Sequence, residues 1–212
     1  MAKAPARTAP RNQHRATSGP PTRGRGRPRD VRLDAAILIS AGKQLEERGY
    51  AGMSMESVAA AAGTTVPSLR RRYQDKPALA AAVVDSLRIE ALPASTAGPR
   101  NDALAILQNF QRNLQRPRAM ATLGSILAEE HRNPELLERF RKRLVAPRRA
   151  MLCRALSDAI SSGELPAELD VQAASNMLIG SFYARYLSGD QTPHDWAECV
   201  LNVIWPAGDS RT

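Results

Sequence analysis

The run from Ser54 to Lys76 leaves the chain few choices. Its punctuation admits two short helices and a tight turn, and little else. Ser54 suits an N-cap, because its hydroxyl can accept from a backbone N–H that the first turn leaves unpaired. Met55, Val58, Ala59 and Ala62 then share one face, and Gly63 stops the helix. Thr64 or Thr65 caps the next one, with Pro67 in its first turn, where a missing N–H costs little. Val66, Leu69 and Tyr73 form its inward stripe. Asp75 caps a further helix, predicted over roughly 76–91, whose apolar residues are Leu79, Val83, Val84, Leu87 and Ile89. Upstream, Leu33, Ala36, Ile37, Ala41 and Leu45 make an apolar face, with Lys43, Glu46, Glu47 and Arg48 opposite and Gly49 as the left-handed stop.

The remainder repeats this grammar at greater length. Pro93, Gly98 and Pro99 mark a break at 92–100. Beyond it, helical periodicity runs over about 101–116, 118–130, 134–161, 170–188 and 194–205. Pro147 lies inside the third of these segments and predicts a kink. Few segments alternate polar and apolar residues as a half-buried strand would, so the fold is read as all-α. The expected units are a basic arm at 1–29, a helix-turn-helix domain at 30–91 and a helical bundle at 100–206.

Charge is concentrated at one end. Residues 1–32 hold nine Lys/Arg against one acid, a net +8, whereas residues 33–90 hold seven against seven. Residues 1–29 lack periodicity and are expected to be disordered in the free protein. A cationic arm on a balanced body is the footprint of a polyanion binder. The later basic run, Arg139 to Arg143 with Arg148 and Arg149, reads as a solvated helix face, with Glu135 and Glu138 as partners for Arg139 and Lys142. Cys153 and Cys199 are far apart and read as buried free thiols of a reducing compartment. No apolar run approaches the length that spans a bilayer, and no secretory signal precedes the body, so no membrane partner and a cytoplasmic, nucleoid-associated location are expected. The three histidines are isolated, and no zinc spacing or phosphate loop occurs. Neither catalytic residues nor a metal or other cofactor is expected.

The second short helix turns outward what a duplex can receive. At 100° per residue, Thr64, Pro67, Ser68 and Arg71 fall opposite the buried stripe, with Arg70 and Arg72 on the flanks. Arg71 can donate twice to guanine. Thr64, Thr65, Val66 and Pro67 can touch thymine methyls or backbone from the helix start. Arg70 and Arg72 suit the two sugar-phosphate walls. Backbone N–H groups near Ser54 and near Lys76 can hold phosphate, and Lys76 adds a charge there. In the arm, Arg25, Gly26, Arg27 and Pro28, followed by Arg29, resemble an AT-hook core that lies in a narrow A·T-rich minor groove.

Residues 30–80 resemble the DNA-binding domain of the tetracycline-repressor-like (TetR) family. The matching features are the Ala35-Ala-Ile-Leu helix ending in Glu47-Arg-Gly-Tyr, the Ser54-to-Gly63 helix, Thr64-Thr-Val-Pro-Ser-Leu, and Tyr73-Gln-Asp-Lys-Pro-Ala-Leu. Arg70 stands where the family usually has tyrosine. The stretch from Gly163 to Asp170, with the helix after it, is similar to one common C-terminal subclass. The resemblance implies about nine helices, a homodimer and a ligand pocket in the C-terminal bundle. The function expected is a ligand-responsive regulator, most simply a repressor on a palindromic operator. The dimer face is expected on the last two helices. Small residues there are Ala173, Ala174, Gly180, Ser181 and Ala184, and bulk comes from Met177, Leu178, Phe182, Leu187, Val200, Leu201 and Ile204. Pocket candidates are Phe110, Leu114, Met120, Leu123, Leu127, Phe140, Met151 and Met177, which suggest a small apolar effector. The rival readings are an architectural protein that coats A·T-rich DNA through the arm and, more remotely, a helical enzyme.

Overall fold

All regular structure among the described residues, 30–87, 90–94 and 98–205 of a computed structural model, is helical. Arg25, Arg27, Arg29 and Ile89 lie outside them. The first helix, α1, spans Val31–Gly52, but its regular part stops at Gly49, whose φ of 68° and ψ of 177° swing the chain so that Tyr50 drops into the core. Helix α2 is Met55–Ala61. Ser54 and Ser57 cap it reciprocally: the Ser54 hydroxyl accepts from the Ser57 N–H at 3.1 Å, and the Ser57 hydroxyl accepts from the Ser54 N–H at 3.3 Å. Ser57 also donates to Gln44 at 2.6 Å, which ties α2 to α1. Thr65 caps α3, Val66–Arg70, and Asp75 caps α4, Lys76–Ser86.

Helix α4 is shorter than the periodicity predicts. Leu87 already has extended backbone. Beyond it, the main chain is held by side chains of later helices instead of by its own helical ladder. The Glu90 N–H donates to Asn113 at 2.8 Å, the Glu90 carbonyl accepts from Arg148 at 2.9 Å, and the Ala91 carbonyl accepts from Asn109 at 2.7 Å. Those partners satisfy backbone groups that would otherwise favour continuing the helix.

The rest comprises α5 (Pro99–Leu114), α6 (Ala119–Leu127), α7 (Pro134–Phe140), a π turn at Arg141–Val145, α8 (Ala146–Ser161), α9 (Val171–Leu187) and α10 (Trp196–Ile204). The π turn stands where a kink is predicted. Pro147 offers no N–H to the preceding turn and its ring crowds a carbonyl there; one widened turn relieves both. Because α7 continues through it into α8, the ten α-helical segments form nine rods among the described residues.

Two apolar clusters hold the rods together. In the first, Ile37, Leu45, Val58, Leu69 and Leu79 meet Ile126, Leu136 and Leu137 from α6 and α7. Packing thus continues across the 92–100 break. Leu69 is fully buried and contributes on the order of 2 kcal/mol to seating α3. The second cluster is built on Leu107, Leu152, Leu156, Leu178, Phe182 and Trp196. Phe182 meets Phe110 and Trp196 edge-on at 5.4 and 5.3 Å. No described helix is long and apolar enough to cross a membrane. Cys153 is half-buried and Cys199 exposed, so the expectation of two buried thiols fails at α10, whose outer side carries Cys199.

Candidate nucleic-acid interface and ligand cavity

Helix α3 is only five residues long, so its orientation depends on anchors at both ends. Leu69 is buried beneath it, and Val66 and Tyr73 pack beside the first cluster. On the outer side Thr65, Pro67, Arg70 and Arg71 are exposed, and Thr64 and Ser68 are partly so. The Arg70 and Arg71 side chains make no hydrogen bond or ion pair among the described residues, which leaves both guanidinium groups available to an outside acceptor.

Arg72 behaves differently from its neighbours. Its Nε donates to Asp34 Oδ1 at 2.7 Å, and one terminal nitrogen donates to the carbonyl and hydroxyl of Ser68 at 3.2 and 3.0 Å. The pair is largely shielded, at 16% and 18% exposure. Arg72 therefore clamps the end of α3 to the first turn of α1, instead of standing open toward a sugar-phosphate wall as the helical wheel predicts. No local pattern signals this, because Asp34 lies 38 residues upstream. Lys76 is also partly engaged: its ammonium donates to the Ala51 carbonyl at 3.2 Å and lies 4.4 Å from the centre of the Tyr50 ring. The Ser54 hydroxyl is used by its cap.

A partly open cavity of about 580 Å³ lies among α5, α6, the π turn, α8 and α9. Phe110, Leu114, Leu123 and Phe140, all predicted, line it together with Leu144 and Ile179. The other four candidates do not. Met120 and Met151 pack into the second cluster, whereas Leu127 and Met177 face outward at 49% and 63% exposure. The lining is also more polar than the apolar stripes suggest. Asn113, Asn176, Tyr183, Arg148 and Arg149 contribute, and Glu46 reaches in from α1. Burial holds the Tyr183 phenol above its ordinary pKa and pushes the Arg148 guanidinium below its own. Arg148 and Arg149 are not part of a solvated face. By contrast, Arg139, Arg141 and Lys142 are solvated and paired, with Asp85, Glu130 and Glu138 at 2.7, 3.3 and 3.2 Å.

A recognition element followed by a cavity-bearing helical bundle prompts comparison with known proteins. Residues 37–83 match the family described as bacterial regulatory proteins, tetR family, and residues 93–203 match the tetracyclin repressor-like C-terminal domain. The chain belongs to the TetR family. It is 27% identical over 183 residues to the HTH-type transcriptional regulator YdeS of Bacillus subtilis, covering 85% of this chain and 92% of that protein. The HTH-type regulator Rv1556 of Mycobacterium tuberculosis is equally similar, at 27% identity, with 85% of this chain and 88% of that protein covered. Among solved structures, the MexZ repressor of Pseudomonas aeruginosa superposes with a TM-score of 0.66 at 25% identity, covering 82% of this chain and 93% of that one.

In this TetR-family transcriptional regulator, the cavity wall and the supports of α3 share helices. Ala119, Thr122 and Leu123 of α6 face the cavity, while Ser125 and Ile126 of the same helix meet Gly49 and the first cluster. Arg148 lines the cavity and holds the Glu90 carbonyl just past α4. The outer side of α9 carries Ala173, Met177, Ala184 and Leu187, whereas Gly180 is half-buried and lines the cavity. Leu187 is 82% exposed, as is 76% of Val203 on α10. Ala174, Leu178, Phe182 and Leu201 turn the other way, into the second cluster, where helical spacing requires them to be once the outer stripe is set.

Proposed function

We propose that the protein is a ligand-responsive repressor that binds a palindromic operator as a homodimer, with α3 in the major groove. The observation that carries this reading is the pair of exposed, unengaged guanidinium groups of Arg70 and Arg71 on a helix anchored from below by Leu69 and from the side by Arg72. Arg71 reads a base, and Arg70 holds phosphate. Thr64, Thr65, Val66, Pro67 and Ser68 approach from the helix start, and Arg72 orients the helix. The starts of α2 and α4, near Ser54 and Lys76, bring backbone N–H groups not used by their caps to phosphate. The arm residues Arg25, Arg27 and Arg29 add contacts in a flanking minor groove.

Dimerisation uses the outer stripe of α9 and the exposed side of α10. Helical spacing puts the exposed Ala173, Met177, Ala184 and Leu187 on one seam, as in helices that pack against a parallel or antiparallel copy. Small residues on that seam let two backbones approach closely. The effector enters the cavity and favours a placement of α3 that no longer matches the half-site spacing. Only a difference in its affinity for the two states can produce that shift.

Sequencing the fragments that the purified protein selects from random DNA tests the reading. Two symmetric half-sites with centres about 34–36 Å apart, or a multiple of that, are expected. Arg71→Ala should cost about 1–3 kcal/mol on the selected site and relax one position in each half. Equal enrichment of unrelated sequences would reject the proposal.

A further inference from the structure

We propose that the cavity takes an amphipathic anion, with an apolar chain against Phe110, Leu114, Leu123 and Phe140 and an acidic head at Arg148 and Arg149. The inference rests on reading the cavity as the effector site and specifies what fills it.

The charge of Arg148 is unbalanced among its neighbours. Arg148 is only 8% exposed, and no carboxylate among the described residues lies within 4 Å of it. Its donors go to three neutral oxygens: Asn109 Oδ1 at 3.1 Å, the Leu144 carbonyl at 3.1 Å and the Glu90 carbonyl at 2.9 Å. A guanidinium has five N–H groups, so donors remain. Arg149 follows it on α8 and also meets only neutral acceptors, Asn176 Oδ1 and, at 2.7 Å, Gln172 Oε1. Elsewhere Arg72, Arg100, Arg112, Arg118, Arg139 and Arg141 each hold a carboxylate.

The acids near the pair offset it only in part: the Glu90 charge acts on Arg148 from a distance, but no carboxylate touches it. The Glu90 carboxylate is taken by two hydrogen bonds from Arg112, at 2.8 and 2.9 Å. Glu46 lines the cavity but forms no ion pair with Arg148 or Arg149. A buried cation without a counter-ion is costly, and an arginine stays protonated there. An acidic head offers the missing charge, and planar guanidinium forks match the paired oxygens of a carboxylate or phosphate. The apolar lining suits the chain behind it. The head also has a route to the reading helix, because Arg148 holds the Glu90 carbonyl at the exit of α4.

Calorimetric titration of the full chain with decanoate, decyl phosphate, decanol and decylammonium tests the assignment. At least one of the two anions should bind about tenfold or more tighter than decanol, the scale of hydrogen bonds to a charged group, and decylammonium should bind weakest. Which anion is preferred distinguishes carboxylate from phosphate. R149Q should bring the better anion to within about threefold of decanol and leave decanol binding unchanged. R148Q should do the same wherever its circular dichroism shows the native helix content. Decanol binding as tightly as both anions, no binding of any probe, or a preference that survives R149Q would each overturn the inference. If decanol alone both binds and releases DNA, the ligand class fails while the effector site stands. Anion binding with DNA affinity unchanged would keep the ligand class and remove the effector step.

Discussion

Gly49 and Gly124 should respond to the same substitution with opposite signs. At Gly49, φ 68° and ψ 177° lie in a region that only glycine occupies readily, so alanine there costs about 1–3 kcal/mol of backbone strain. A Cβ would also stand 3.3 Å from the Ser125 hydroxyl of α6. Rotating that hydroxyl away breaks its 3.0 Å bond to the Ala121 carbonyl, a further loss of about 1 kcal/mol or less. Gly49→Ala should therefore destabilise by roughly 1–4 kcal/mol and, at about 2–4 °C per kcal/mol for a body of this size, lower Tm by roughly 2–16 °C. Gly124 lies inside α6, where a Cβ meets nothing within 4 Å. Alanine there only restrains the unfolded chain and should stabilise by about 0.5–1 kcal/mol. Thermal and urea unfolding at one fixed protein concentration measure both, because the proposed dimer would make Tm depend on concentration. An unchanged Tm for Gly49→Ala, or shifts of the same sign in the two variants, would contradict the strain assigned to Gly49.

Three other perturbations follow from the same geometry. Asp34→Ala leaves the shielded guanidinium of Arg72 without its carboxylate; it should cost about 1–2 kcal/mol, between the values for exposed and buried pairs, and a double-mutant cycle with Arg72→Ala measures the coupling. Ala184→Arg puts like charges on the proposed α9 seam, so sedimentation should show monomers whose helix content is unaltered; persistent dimers would move the interface elsewhere. Burial, then the charges of Glu129 and Asp75, raises the Tyr50 phenol above its ordinary value of 10.0. The folded state then keeps a proton that the unfolded chain releases, so stability is full below about pH 10 and falls as the pH rises beyond it. Tyr50→Phe should flatten that fall in urea midpoints measured from about pH 9 to about pH 11.

What the sequence discloses here depends on how far apart the interacting partners lie. The caps at Ser54, Thr65 and Asp75 are settled within three residues, and all three stand where hydroxyl and carboxylate chemistry places them. Helical spacing likewise separates Leu69 from Arg71, because both follow from one axis and one buried side. It cannot separate Arg70 from Arg72. The two are flanking positions on the same wheel, and only Asp34, brought close by the packing of α1, turns one of them inward. The end of α4 is hidden for the same reason: periodicity continues to Ile89, but Asn113, Asn109 and Arg148 hold the backbone at 90–91.

Arg148 marks the limit most sharply. In sequence it belongs to a basic run in which Arg139, Arg141 and Lys142 are solvated and paired. What distinguishes it is position along a bent rod. The π turn before Pro147 shifts the phase of α8 relative to α7, so a face that begins solvated in α7 reaches the cavity one turn beyond the bulge. A wheel drawn at a constant 100° per residue through 134–161 carries no such shift. The same proline that shows in the sequence as a kink thus decides which arginines face water and which face the cavity. Charge runs that cross a helix interruption need a separate wheel on each side of it.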